Sequence, residues 1–240
     1  RLRNHCVACL ILLACAACGS SHRKSVKAVD SGNEFVKQAK YDDATRMYQR
    51  AVELDPRNGQ AYYQLALLDW NLGRRSLEGN LRRAVELEPS NMDALTKLSE
   101  LYLLSYRYDS DPTRRKTYLE QMQPLTAQML QVQPRSYQGL RIQAYIAFLT
   151  GDYATADRLF DAALRAEPKS ANAAEVASDR FSAMLHECLT PAAETFAESY
   201  IRQYPSAKPV YDGLEKHYWD VRRPDLAVAV LRKKATANGD

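Results

Sequence analysis

Residues 41–56 read YDDATRMYQRAVELDP and residues 153–168 read YATADRLFDAALRAEP. Both open on Tyr, carry Ala at Ala44 and Ala156, and place a ring at Tyr48 and Phe160. Both close on a small–aliphatic pair, Ala51-Val52 and Ala163-Leu164, before Pro56 and Pro168. Shorter copies end at Pro89 (LRRAVELEP) and Pro134 (AQMLQVQP). The steps from Pro56 to Pro89 and from Pro134 to Pro168 are 33 and 34 residues. A repeat of that period predicts stacked helix pairs, because one pair has too little apolar surface to bury alone.

Each copy is preceded by a second apolar set at helical spacing. Before Pro89 these are Tyr62, Leu65, Ala66 and Leu72, with Gly73 as the expected C-terminal cap. Before Pro168 they are Leu140, Ala144, Ala147 and Gly151. Small residues sit where two helices must approach closely, and large ones fill the space between neighbouring pairs. The expected fold is all-α, a right-handed α-solenoid of about six antiparallel helix pairs. The repeats fall at residues 25–58, 59–91, 92–136, 137–170, 171–207 and 208–240, and the last reads as incomplete.

These positions resemble the tetratricopeptide repeat (TPR) family. The matches are Gly32, Phe35, Tyr41, Ala44, Tyr48, Ala51-Val52 and Pro56 in repeat one, and Leu140, Ala144, Gly151, Tyr153, Ala156, Phe160, Ala163-Leu164 and Pro168 in repeat four. Repeat two departs from the pattern by placing Asp69 at a site that faces the interior of the pair. A buried carboxylate there needs a partner, and Arg46 or Arg83 is expected. Repeat three carries an excess segment, SYRYDSDPTRRKTYLEQ, which reads as a longer second helix. Asp111 is its N-cap, Pro112 its first residue, and Pro124 an interior kink.

The resemblance implies a concave face lined by the first helix of each pair. By the family's offsets this groove takes Tyr63, Leu67, Trp70 and Asn71 from repeat two. Thr96, Glu100, Leu103 and Leu104 come from repeat three, and Arg141, Tyr145, Phe148 and Leu149 from repeat four. Asn172, Glu175 and Asp179 make an acidic end. Tyr63, Trp70, Tyr145 and Phe148 are the expected aromatic anchors and Arg141 a donor, residue types that dominate protein interfaces. The expected partner is a protein or peptide.

Arg1 and Arg3 precede an apolar run from Val7 to Ala17, too short to span a bilayer, which needs roughly 20 residues. A basic start, a short apolar run and small residues read as a secretory signal over 1–18. The pairs Cys6/Cys9 and Cys15/Cys18 are separated only by LILLA, which offers no loop to fold four ligands round zinc. The segment instead resembles a bacterial lipoprotein signal, with Cys18 (or Cys15) as the acylated residue and 19–27 as a short tether. The resemblance implies a membrane anchor in the cell envelope and, if the source is Gram-negative, on the periplasmic face of the outer membrane. The layout is similar to repeat lipoproteins of exopolysaccharide export, pilus secretins and barrel assembly. A soluble secreted or periplasmic protein is the alternative address.

The chain carries a formal charge of +4. Loss of residues 1–18 removes Arg1 and Arg3 and no acid, leaving +2. The basic pairs are scattered among acids, so no nucleic-acid partner is expected. No phosphate loop, GxSxG or HExxH occurs, and no enzyme activity, cofactor or metal is expected. Cys188, in FSAMLHECL, reads as a packed core residue. The apolar Leu226, Val228, Val230 and Leu231 near the end suggest that further repeats, or an enzymatic or carbohydrate-binding domain, follow.

Overall fold

Five helices stop in the same way, and a proline is the reason. In this computed structural model the chain runs α1 (Leu2–Lys37), α2 (Tyr41–Leu54), α3 (Gly59–Leu72), α4 (Leu77–Leu87), α5 (Met92–Tyr108), α6 (Pro112–Val132), α7 (Tyr137–Leu149), α8 (Tyr153–Ala166), α9 (Ala173–His186), α10 (Thr190–Gln203), α11 (Lys208–Asp220) and α12 (Pro224–Asn238). The structure describes the backbone of residues 2–239 and the side chains of 20–239. Cys15, Cys18 and the expected signal segment lie outside the described side chains. Among the described residues every regular element is a helix, an all-α helical-repeat fold.

Pro56, Pro89, Pro134, Pro168 and Pro205 each fall two residues past the end of a second helix. The residue between is driven out of the α region by the proline ring behind it. Asp55, Glu88, Gln133, Glu167 and Tyr204 accordingly have φ of −145°, −128°, −141°, −140° and −128°.

The turns inside the pairs share a different device. One residue takes left-handed φ at Ala39 (57°), Gly73 (64°), Gly151 (84°), Cys188 (61°) and Arg222 (59°). This turns the backbone sharply enough to start the second helix antiparallel to the first. Cys188 is therefore not a core residue. It is exposed in the turn between α9 and α10, past the end of the apolar helix that suggested burial.

Repeat three lacks this device and uses side chains instead. Asp109 accepts from Arg114 Nε and Nη2 at 2.6 and 2.8 Å and from the Asp111 N–H at 2.9 Å. The Arg114 guanidinium holds its carboxyl well below the usual carboxylate range. Asp111 caps α6 by accepting from the Thr113 and Arg114 N–H groups, with Pro112 opening the helix as expected. Helix α6 runs on through Pro124. The extra residues are shared, since α5 has 17 and α6 has 21.

Three further expectations are corrected. The tether over 19–27 is not slack, because all of it belongs to helix α1, and His22 already meets Asp55 Oδ2 at 2.6 Å. Ser25 is buried, donates to the Ala51 carbonyl at 2.7 Å and accepts from Asn58 at 2.8 Å. Repeat six holds a full helix pair, α11 and α12. Asp69 is buried, but its partners are neither Arg46 nor Arg83. Ser76 Oγ and Asn80 Nδ2 donate to Oδ2 at 2.7 Å each, and Arg74 approaches Oδ1 at 3.8 Å. Arg46 and Arg83 pair instead with Asp43 and Glu86, one turn away on their own helices.

The chain divides into two compact bodies, Arg1–Leu101 and Tyr102–Asp240. The first has a core of Val29, Ala44, Tyr48, Ala51, Ala61, Leu65 and Leu68. Helix α1 crosses α2 at Gly32, where any Cβ would collide with the Tyr48 ring, so only glycine permits that approach. The second core is built round Phe160, Val176, Phe181, Tyr200 and Leu214, with alanines at the crossings.

Candidate partner-binding faces

The residues expected to form one groove fall in both bodies. In the first body, α3 carries Tyr63, Leu67 and Trp70, all half-buried, and Asn71, which is exposed. Trp70 is not a bare aromatic platform. Lys97 Nζ lies 4.9 Å from its ring centroid, a cation–π contact, and also bonds Glu100 at 3.1 Å. Burial pushes the Tyr63 phenol up to about 12, with Asp93 and Glu100 adding to the shift.

In the second body two of the expected contact residues are buried. Arg141 is 6% exposed and Tyr145 7%. Tyr145 donates to Asp179 Oδ2 at 2.6 Å and meets Phe160 edge-on at 5.2 Å. Arg141 lies over the Tyr137 ring at 5.8 Å. Neither offers an exposed anchor or donor, so the expected roles are corrected to packing beneath the surface. Phe148 is half-buried in a ring cluster, edge-on to Tyr153 at 5.4 Å and to His186 at 5.9 Å. Leu103 packs against the same core. Burial raises both the Tyr145 phenol and the Asp179 carboxyl. For Asp179 the Tyr145 hydrogen bond and the charges of Arg107 and Arg141 oppose that rise.

The open part of this face lies further along, between α9 and α11. A cleft of about 520 Å³ is lined by Ser178, Asp179, Ser182 and His186 from α9 and by Gly213, Lys216, His217 and Asp220 from α11. Phe181 and Leu185 line its apolar part. His186 is fixed by stacking on Tyr153 at 4.4 Å. His217 is buried, with Nε2 2.9 Å from Glu194 Oε1 and its ring edge-on to Phe181. Lys216 pairs with Asp220 one turn on. Donors and acceptors thus alternate over an apolar strip, an arrangement that suits the polar backbone and mixed side chains of an extended peptide.

Of the expected groove, only its acidic end reaches this cleft, through Asp179. Ser182, His186, Lys216, His217 and Asp220 were missed, although a signal existed. Cys188 and Arg222, the left-handed turns of repeats five and six, are 34 residues apart. The same step carries Asp179 to Gly213, Ser182 to Lys216 and His186 to Asp220, so the cleft is one set of positions presented twice. Among the described residues no group of three or more His, Cys, Asp or Glu could hold a metal, and no helix is long and apolar enough to cross a membrane.

Paired antiparallel helices, proline-ended second helices and left-handed turns between them define a helical-repeat protein. Residues 32–73 match the family model of the TPR repeat. The fold is that of a TPR protein from Parabacteroides merdae (16% identity, 90% of this chain and 80% of that one, TM-score 0.69). It is shared by pilF of Pseudomonas aeruginosa (14% identity, 92% and 95%, TM-score 0.64). It is also shared by YrrB, a TPR protein with an unusual peptide-binding site (13% identity, 78% and 89%, TM-score 0.61). No curated protein shows significant sequence similarity to the chain. Residues 32–73 thus carry a tetratricopeptide repeat, and the chain as a whole has the fold of TPR structures.

Proposed function

We propose that this chain is a non-enzymatic scaffold that binds an extended peptide or protein segment through the first-helix face of its repeats. The observation that carries this reading is the α9–α11 cleft, where equivalent positions of two successive repeats present Ser182 and Lys216, His186 and Asp220, beside Phe181 and Leu185. A row of polar groups repeated at the helix spacing can follow an extended backbone from one repeat to the next. YrrB, which shares the fold, has a peptide-binding site.

The proposal includes a lipid anchor at Cys18, or at Cys15, and a place in the bacterial cell envelope serving assembly, secretion or exopolysaccharide export. Its support is the basic, apolar and small-residue order of residues 1–21. Because Ser25 is already buried in repeat one, an anchored chain would begin its folded part within a few residues of the bilayer. Metabolic labelling with an alkyne fatty acid tests the anchor. Loss of label in Cys18→Ser supports it, loss only in Cys15→Ser moves the site, and no label in the parent overturns it. Binding is tested by photocrosslinking from Ser182, where an adduct with a defined protein segment supports the reading and its absence counts against it.

A further inference from the structure

The second helices of repeats five and six leave a cleft of their own. It opens between α10, α11 and α12, with a volume of about 510 Å³. Ile201 and Tyr211 form a recessed floor, 5% and 4% exposed, with Pro205 and Ala237 beside them. The rim carries Arg202 from α10 and Arg232 and Lys233 from α12, with Glu198 as the one carboxylate in the lining. All three cations are exposed. None has a carboxylate partner among the described residues, whereas Arg180, Lys216 and Lys234 in the same body are held by Asp157 and Asp161, Asp220 and Asp212.

We infer that this cleft binds an acidic amphipathic protein segment, with an apolar side chain on Ile201 and Tyr211 and flanking carboxylates on Arg202, Arg232 and Lys233. An apolar floor ringed by unpartnered cations is complementary to that pattern in both charge and polarity. The recessed floor separates this occupant from an anionic membrane. A plane of headgroups reaches the rim but not Ile201 or Tyr211, and Glu198 opposes a continuous anionic sheet. A side chain enters, and its neighbours place their carboxylates away from Glu198. The cleft shares no residue with the α9–α11 cleft, so it does not depend on the function proposed above.

The test uses the full chain and a fluorescein-labelled synthetic peptide of repeated Leu-Leu-Glu-Glu blocks, followed by fluorescence anisotropy. Saturable binding that weakens with added salt is expected. Arg232→Glu combined with Lys233→Glu should reduce the affinity about tenfold or more, while Arg158→Glu, exposed on α8 and outside both clefts, leaves it unchanged. Both charged positions are exposed, and circular dichroism verifies that the double variant keeps its helices. No binding, equal binding of a Leu-Leu-Lys-Lys peptide, or an affinity unmoved by the double reversal overturns the inference. So does capture by phosphatidylglycerol-containing vesicles in place of the peptide.

Discussion

Ala39, Cys188 and Arg222 hold a backbone conformation that glycine adopts freely and other L-residues adopt at a cost of roughly 1–2 kcal/mol. Cys188→Gly removes that cost and adds unfolded-state freedom of about 0.5–1 kcal/mol. A net gain of up to about 1.5 kcal/mol is expected, seen as a rise in the urea midpoint; a lower midpoint would show that the turn is unstrained. Gly73 and Gly151 made the same turn legible in the sequence, because glycine marks it, whereas an alanine, a cysteine or an arginine carries no such mark. Asp69 was legible as a buried carboxylate but its partners were not, since short Ser76 and Asn80 reach it from the start of the next helix. Asp69→Ala should cost about 1–3 kcal/mol by stranding both donors, measured by thermal melting. Asp179 gives a pH signature. Burial raises its folded pKa, so the folded chain keeps a proton that the unfolded chain has released. Stability therefore falls as pH rises from the ordinary carboxylate range through the raised value. Asp179→Asn, which cannot ionise, should exceed the parent above that window and match it below the ordinary range. A difference independent of pH would refute the assignment.

At the level of helices, proline spacing made the ends of α2, α4, α6, α8 and α10 legible, because the constraint acts on the residue immediately before the ring. Helix α1 was less legible. Gly19-Ser20-Ser21 has the composition of a linker, and it is tertiary contacts, His22 with Asp55 and Ser25 with Ala51 and Asn58, that show the packed repeat starting so early. The groove was partly legible for a related reason. Helical offsets place a residue on a face, but Tyr145 is taken out of that face by Asp179, a partner 34 residues away. Phe148→Ala should lower stability by about 2 kcal/mol, below the 3–5 kcal/mol of a fully buried Phe, because the ring is half-buried against Tyr153 and His186. Joined to Trp70→Ala, it should lower the melting temperature and not act on binding alone. A double variant that melts like the parent would return Phe148 to the exposed face.

The molecule as a whole is a set of near-copies, and function follows from what successive copies present together. The α9–α11 cleft arises because one step of 34 residues lays Ser182 beside Lys216 and His186 beside Asp220. The most direct measurement replaces Ser182 with a photocrosslinking amino acid in the native cell and identifies the adducts by mass spectrometry. Arg158, exposed on α8, carries the crosslinker in a control chain. A defined protein segment attached from position 182, absent from position 158 and diminished by Lys216→Glu, is the result expected. Adducts equal from the two positions, or unaffected by Lys216→Glu, would contradict binding along the first-helix face.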